Sequence, residues 1–210
     1  MVSVQSKYEV VVKMGVKRRK VLGVSFSARK EGNCLRLVNY CLDKFKEQGF
    51  ETDVVNAYEH EINPCSHCDY ECFTGKECPI KDDVPMIYQK CGSADILIFG
   101  VPTYGGHLSS LYFAFAERSQ AAFKSFQECT EKLLKKINFI IIGNLSAGGD
   151  MALHEALYNF ANLSFWPETL LFPAREYGRS SVKGDLINDP EVKKRLDRFV
   201  ETILKKVEKQ

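Results

Sequence analysis

Four cysteines with metal-ligand spacing form the most reactive group of side chains in the sequence. They are half of the eight cysteines in the 210-residue chain and follow the pattern Cys65-x2-Cys68-x3-Cys72-x5-Cys78. Thiolates this close together in a short loop can converge on one zinc ion or on the irons of an iron–sulfur cluster. Three interpretations stay open: a [4Fe–4S] cluster, a structural zinc ion, or unliganded thiols. We favour the cluster, and His67 is not needed as a ligand because four cysteines suffice.

The composition and the N-terminal residues predict a cytoplasmic protein. The first twenty residues contain no apolar segment followed by a small-residue cleavage site, and no apolar run reaches the roughly 18 residues of a membrane span. In the reducing cytosol a cysteine cluster indicates metal binding or catalysis before disulfides. The net charge is only +2, and we interpret the basic run at residues 17–20 as a solvated strand flank. We therefore expect neither nucleic acid nor a membrane as a partner.

A polar segment, residues 25–34 (SFSARKEGNC), follows an apolar run and precedes a helical pattern. Hydroxyl groups, an arginine and a glycine beside a helix N-terminus can bind phosphate, because backbone N–H groups point outward there and the helix dipole favours an anion. A polar turn that only caps the helix is the alternative. The segment lacks the Gly-Lys-Ser/Thr ending of a Walker loop.

Two further glycine-rich segments follow apolar runs, at residues 100–107 (GVPTYGGH) and 143–150 (GNLSAGGD). In the first, Tyr104 offers a flat π face, and Gly105 and Gly106 allow the main chain to approach a planar ligand closely. The alternative is a tight turn with Tyr104 packed in the core. Each signal is weak alone, and their order along the chain is the stronger observation.

These segments lie between elements that alternate as in an α/β protein. Apolar runs predict buried strands at residues 20–25, 50–55, 95–100, 137–143 and 169–172, with Pro102 ending the third. Helices are predicted from residue 33 to Gly49, from a cap at Asp83 to residue 90, over much of 103–136, at 150–162, and from residue 190 onward. Strands that are apolar throughout indicate a doubly wound parallel sheet with helices on both faces. Its ligand crevice would lie beyond the carboxyl ends of the strands.

The order of the motifs resembles that of the flavodoxin-like NAD(P)H-dependent FMN reductases. Residues 23–34 are similar to that family's phosphate loop, G-x-S-G-S-P-R-x-x-G-N-T, and residues 101–106 to its S-P-x-Y-x-G loop beside the isoalloxazine. Glu117-Arg118 resembles the D-R pair that closes the next helix, and residues 78–83 (CPIKDD) resemble its C-x-I-x-D-D segment. The cysteines place the chain nearest the iron–sulfur flavoprotein branch, whose motif is C-x2-C-x2-C followed by a fourth cysteine. The middle gap is one residue longer here.

The resemblance implies a flavodoxin-like five-stranded parallel sheet of order 2-1-3-4-5, with a cysteine-rich loop insertion after strand 2 at about residues 60–81. This FMN-binding domain would cover residues 20–210, and residues 1–19 would form an N-terminal extension. The sheet order would bring the glycine-rich and polar segments to one edge.

By position, the resemblance also implies an FMN site and a cluster site. The residues that would cradle the phosphate are Ser25, Ser27, Arg29, Asn33 and Cys34; those that would border the ring are Pro102, Thr103, Tyr104 and Gly105; those that would approach its pyrimidine edge are Ala147, Gly148 and Gly149. The cluster ligands would be Cys65, Cys68, Cys72 and Cys78. Phe26, Ala28 and Cys34 replace the family's glycine, proline and threonine. Phe26 would be strained if that position needs a positive φ, and Cys34 keeps a backbone N–H but lacks the hydroxyl.

The function implied by the resemblance is that of an FMN-dependent oxidoreductase. NAD(P)H or a ferredoxin-like redox protein would supply electrons, and a small-molecule acceptor such as a flavin, quinone or oxidant would receive them, with the cluster as a relay. The flavin carries the chemistry, so no side chain is required as acid or base. A homodimer or homotetramer is implied, because a second subunit usually completes the flavin site. The alternatives are an electron carrier of flavodoxin type without its own substrate, and a zinc-stabilised module lacking flavin.

Overall fold

The computed structural model describes residues 18–66, 68–144 and 149–208. Its elements are, in chain order, β1 (Lys20–Ser25), α1 (Asn33–Glu47), β2 (Glu51–Asn56), α2 (Val84–Ser93), β3 (Ile96–Tyr104), β4 (His107–Leu108), α3 (Ser110–Ala116), α4 (Ser119–Ala122), α5 (Phe126–Lys132), β5 (Ile137–Gly143), α6 (Gly149–Leu157), β6 (Thr169–Pro173) and α7 (Pro190–Val207). Short 3₁₀ turns join several of them. The predicted N-terminal extension lies almost wholly outside the described residues.

Five parallel strands form the centre of the molecule, in the order β2-β1-β3-β5-β6. Counted without β4, this is the predicted order 2-1-3-4-5, so the flavodoxin-like fold is confirmed. The chain runs outward in opposite directions from β1 and β3, whose carboxyl ends meet where Ser25 pairs with Gly100. A ligand crevice is expected at this switch point. The short strand β4 was not predicted; it pairs antiparallel with the end of β3, and two residues are too few for a hydrophobic pattern.

Alternation along β5 shows how the sheet separates two cores. Phe139 and Ile141 face the layer that holds α2, α3 and α6, whereas Ile140 and Ile142 face α1 and α7. Every residue of β5 is buried, as expected for a central parallel strand covered on both faces. The described part of the chain contains no helix that is long and apolar enough to cross a bilayer.

Two predicted boundaries and one predicted side-chain cap were wrong, although α2 does begin directly after Asp83. Pro102 does not end β3; the strand has lost its β1 partner beyond Gly100, and proline is tolerated where only one edge is paired. Asp83 does not cap α2 with its side chain, since its carboxylate accepts a hydrogen bond from the N–H of Glu61 (2.9 Å). Asp82 takes that role and accepts from the N–H of Val84 (3.2 Å). Helix α6 ends at Leu157 rather than at residue 162, and the 3₁₀ turn Tyr158–Phe160 follows it directly.

Candidate functional site

One cavity of about 150 Å³ lies at the carboxyl edge of the sheet and brings the predicted cofactor segments together. Its lining residues come from the loop after β1, the end of β3, the end of β5 and a segment before α7: Ser27, Arg29, Gly32, Asn33, Cys34, Pro102, Thr103, Tyr104, Ile142, Gly143, Asn144 and Ser181. Seven of the residues predicted to hold FMN are in this set. Ser25, Gly105 and Gly149 lie outside the wall, and Ala147 and Gly148 lie outside the described residues.

The first segment has the features of an anion site. Helix α1 begins at Asn33 with no acidic residue in its first turn, so its N-terminal amides and dipole face no fixed negative charge from that turn. The hydroxyl of Ser27 accepts from the N–H of Arg29 (3.2 Å). A Cβ at Gly32 would lie 3.3 Å from Ser27 Oγ, so a side chain there would crowd the turn. Ser25 Oγ is buried and has no hydrogen-bond partner among the described residues.

Phe26 is accommodated in the place of the family's glycine. Its φ is not positive, and its side chain is fully buried with its ring 5.2 Å from that of Phe99, edge to face. The backbone of Phe26 donates to Gly100 O (2.8 Å) and accepts from the hydroxyl of Ser109 (2.9 Å). The side chain therefore points into the core and ties the loop to β3 and α3, and it does not line the cavity.

Cys34 contributes a neutral group to the cavity wall. The side chain is buried, and this burial is the main reason that the pKa of its thiol is raised to about 12. At neutral pH the thiol is therefore protonated and brings no negative charge to the candidate anion site.

A segment that sequence reasoning missed lies across the first loop. Asn33 Nδ2 donates to Ser180 O (3.0 Å), and Asn33 Oδ1 accepts from the N–H of Leu186 (3.1 Å). Arg29 Nη1 donates to Ser181 O (3.0 Å). The side chain of Asn33 thus anchors this segment. Asn33 can therefore offer its backbone N–H, rather than its side chain, to an anion. Two serines between glycines, in GRSSVKG at residues 178–184, were the available signal.

The second segment forms a β-hairpin that presents Tyr104. Gly105 and Gly106 have φ values of 60° and 88°, as required at the two central positions of a type I′ turn. Tyr104 is 50% exposed, so the alternative in which it packs in the core is wrong. The carboxylate of Glu155 on α6 holds the hairpin, through His107 Nδ1 (2.7 Å) and the N–H of Leu108 (2.8 Å). The positive φ values that the turn requires explain why glycine stands at both positions.

Gly149, at the start of α6, is explained by packing. A Cβ there would lie 2.5 Å from Leu171 Cδ2, so any side chain would force the Leu171 side chain on β6 to move. This glycine therefore allows α6 to pack closely against β6 of the same chain.

The four cysteines predicted as cluster ligands lie in the connection between β2 and α2. All four are partly exposed free thiols. Among the described residues no three Cys, His, Asp or Glu side chains are arranged to hold a metal, and His67 is outside them. The pKa of Cys65 is raised, first by partial burial and then by the carboxylate of Glu117, with smaller effects from neighbouring thiols. The donor set suits a thiolate-bound centre, but the described thiols do not converge on one.

A buried arginine ties both ends of the cysteine loop to the domain. Arg118 Nη1 donates to Asn63 O (2.9 Å), before Cys65, and to Asp82 Oδ2 (2.8 Å), after Cys78. Nη2 donates to Asp82 Oδ1 (3.2 Å), and both side chains are almost fully buried. The resemblance had singled out Arg118, but its contacts could not be predicted from spacing.

Comparison with known proteins agrees with this architecture. Residues 19–169 match the family model described as NADPH-dependent FMN reductase. An iron–sulfur flavoprotein of Methanocaldococcus jannaschii is 31% identical over 202 residues, covering 90% of this chain and all of that protein. Among solved structures, the NAD(P)H:quinone oxidoreductase from Methanothermobacter marburgensis aligns with a TM-score of 0.61 at 15% identity, covering 89% of this chain and 99% of that one. An FMN-dependent NADH-azoreductase from Bacillus anthracis in complex with FMN aligns with a TM-score of 0.58 at 13% identity, covering 87% and 99%.

Proposed function

The chain belongs to the NADPH-dependent FMN reductase family of oxidoreductases, and from this premise we propose that it passes electrons from NAD(P)H, or from a reduced ferredoxin-like protein, through FMN to a small acceptor. A quinone, a free flavin or a small oxidant is the acceptor class. The proposal places the protein in the cytoplasm.

The observation that carries the proposal is the cavity at the carboxyl edge of β1 and β3. Backbone amides of residues 27–34, the hydroxyl of Ser27 and the guanidinium of Arg29 would hold the FMN phosphate. The hydroxyl of Ser25 is buried outside the cavity wall and has no hydrogen-bond partner among the described residues, so Ser25 remains a prediction for this site. Bound there, the isoalloxazine would supply hydride and single-electron chemistry.

The residues of the chain would bind and orient the cofactor rather than transfer protons. Pro102 and Thr103 line the cavity beside the half-exposed ring of Tyr104, which offers its face to a planar ligand. The neutral thiol of Cys34 avoids repelling a phosphate. Because about 150 Å³ is small for a whole cofactor, the flavin ring would extend over Tyr104 towards the protein surface.

We propose that a second subunit covers this exposed part of the site in a homodimer or homotetramer. Phe113 on α3, Met151 on α6 and Tyr158 beyond it are 39%, 49% and 69% exposed. Phe113 and Tyr158 line the same groove, and large apolar side chains exposed together are typical of a protein interface. Light scattering on the flavin-loaded protein tests this, and a monomer would contradict it.

We also propose that Cys65, Cys68, Cys72 and Cys78 bind a [4Fe–4S] cluster. Support comes from four thiols in one loop tied at both ends by Arg118, and from relatives named iron–sulfur flavoproteins. Asp69 and Tyr70, between Cys68 and Cys72, have φ values of 45° and 55°. Such strain in non-glycine residues is typical of ligand-binding segments. A zinc ion or free thiols are the competing outcomes.

The test is a visible absorption spectrum of protein purified without oxygen, with flavin, iron, sulfide and zinc assayed on the same sample. We expect one FMN per chain, a broad iron–sulfur shoulder and about four irons per chain. Cys72→Ser should lower the iron content and leave FMN unchanged, whereas Cys129→Ser, at a partly exposed thiol outside the loop, should change neither. Flavin without metal would leave a simple reductase, and zinc without flavin would overturn the enzyme proposal.

A further inference from the structure

A segment outside the family match forms part of the candidate cofactor cavity. The FMN reductase family model matches residues 19–169, whereas the crossing segment, residues 178–184 (GRSSVKG), lies beyond them, between β6 and α7. The motifs that the chain shares with the family all precede this segment. Ser181 at its centre nevertheless lines the cavity, together with the loop after β1 and the end of β3. Its role there must be worked out from its own contacts.

The end of the crossing segment is packed against the N-terminal turns of α1. Gly184 is buried, and a Cβ there would lie 3.1 Å from Arg36 Nε on α1 and 3.4 Å from Glu31 O in the loop before it. The φ of Gly184 is 71°, so the chain also turns at this residue. The crossing segment is therefore seated beside the loop that would hold the FMN phosphate.

Ser180 fixes the shape of the crossing segment. Its hydroxyl accepts hydrogen bonds from the N–H groups of Val182 (3.1 Å) and Lys183 (3.3 Å), and its own N–H donates to Asp185 Oδ1 (3.0 Å). Its carbonyl accepts from Asn33 Nδ2 (3.0 Å). A serine hydroxyl that accepts from the following N–H groups stabilises a turn, so the polar groups of Ser180 serve the local structure.

Ser181, the next residue, keeps its hydrogen-bond donors free. Its carbonyl accepts from Arg29 Nη1 (3.0 Å), but its hydroxyl and its N–H donate to no residue that the structure describes. Ser181 is half-buried and lines the cavity. A ligand in the cavity can therefore accept a hydrogen bond from Ser181 without breaking one inside the protein.

The charges around Ser181 suit an anionic ligand. No residue that lines the cavity is acidic. Arg29 forms no ion pair with a described carboxylate, and its guanidinium keeps donors beyond the one bonded to Ser181. Of the carboxylates near the crossing segment, Glu31 is paired with an arginine of α1 (3.5 Å) and Asp185 accepts from the segment's backbone. An anion at the N-terminus of α1 would thus face donors from two distant segments of the chain.

We propose that Ser181 binds the phosphate of FMN, by donating from its hydroxyl to a phosphate oxygen, and that the crossing segment closes this end of the site. The inference rests on the proposed function for the identity of the cofactor. Arg29 positions Ser181 through its carbonyl and contacts the same phosphate. A hydrogen bond to a charged acceptor is stronger than one between neutral groups. Riboflavin has no phosphate, so Ser181 contributes to the affinity for FMN and not to that for riboflavin.

Ser181→Ala tests this contact and spares the turn, because the hydroxyl that shapes the turn belongs to Ser180. We expect the Kd for FMN to rise about tenfold and the Kd for riboflavin to stay the same. Ser181→Thr retains a hydroxyl and should restore most of the affinity for FMN. Val182→Ala, at the exposed neighbouring position, is the matched control and should change neither Kd.

The measurement is a fluorescence titration of each flavin-free protein with FMN and with riboflavin, at one ionic strength. An unchanged Kd for FMN in Ser181→Ala would overturn the inference. An equal rise in both Kd values would also overturn it, since the lost interaction would then not involve the phosphate. Both results leave FMN binding by the unmodified protein intact, so they contradict this inference alone. If the unmodified protein does not bind FMN, the proposed function fails and the inference fails with it.

Discussion

Arg118 and Asp82 form a bidentate ion pair, with Nη1–Oδ2 at 2.8 Å and Nη2–Oδ1 at 3.2 Å, and both side chains are almost completely buried. Asp82 also accepts from the N–H groups of Asn63 and Val84. The pair therefore joins the start of α2, the end of α3 and both ends of the cysteine loop. A buried pair of this kind positions segments well, but it depends on both partners being present.

Removing one charge of this pair should destabilise the domain strongly. Asp82→Asn leaves the Arg118 guanidinium buried beside a neutral amide, and we expect a loss of about 3–5 kcal/mol in the free energy of unfolding. Urea denaturation followed by circular dichroism measures it. The control is Glu71→Gln, which removes the exposed pair with Lys76 and should change stability by less than about 1 kcal/mol. Similar losses in both variants would contradict the role assigned to burial.

Tyr104 should contribute to flavin affinity through its ring face. Tyr104→Ala removes the half-exposed ring beside the cavity, and we expect the Kd for FMN to rise about tenfold. Titration of flavin-free protein with FMN, followed by flavin fluorescence, gives the Kd. Phe126→Ala, which removes an exposed ring on α5, should leave the Kd unchanged. An unaltered Kd in the Tyr104 variant would count against the ring site.

Restoring the family's glycine at residue 26 should harm this protein. Phe26→Gly deletes a fully buried ring that packs on Phe99, Tyr112 and Phe115, and we expect a loss of at least about 3 kcal/mol of stability. No gain in FMN affinity should follow, because the side chain lies outside the cavity wall. Urea denaturation and FMN titration measure the two effects. Tighter FMN binding at unchanged stability would show that the residue acts on the site.

Because its thiol is buried, Cys34 should lower the free energy of unfolding as the pH becomes alkaline. Burial raises the pKa of its thiol from 9.0 to about 12, so between these values the folded state holds a proton that the unfolded state has lost. Its contribution is complete below pH 9 and is lost as the pH rises towards 12, with a slope approaching about 1.4 kcal/mol per pH unit.

The test compares urea denaturation of the unmodified protein and Cys34→Ala at pH 8, 9 and 10. The curve for Cys34→Ala should fall less steeply above pH 9, and the two slopes should agree at pH 8 to 9. Parallel curves over the whole range would mean that the thiol does not remain protonated in the folded protein.

Local pattern alone determined much of the scaffold. Strands β1 and β5 and the start of α7 at Pro190 lie where apolar runs and helical spacing predicted them, because those signals are written in neighbouring residues. The type I′ turn at Gly105 and Gly106 was considered as a tight turn for the same reason. The order of the loops along the chain then predicted that they lie together at one edge of the sheet, since the carboxyl ends of parallel strands meet there.

Tertiary structure alone decided what the side chains contact. Asn33 bonds to Leu186 across 153 positions of the chain, and Phe26 turns into the core rather than towards the cavity. Arg118 reaches Asp82, and its Nε has no hydrogen-bond partner among the described residues. No periodicity or spacing in the sequence predicts these contacts. Each depends on where the folded sheet brings distant segments together and on which buried polar groups then find partners.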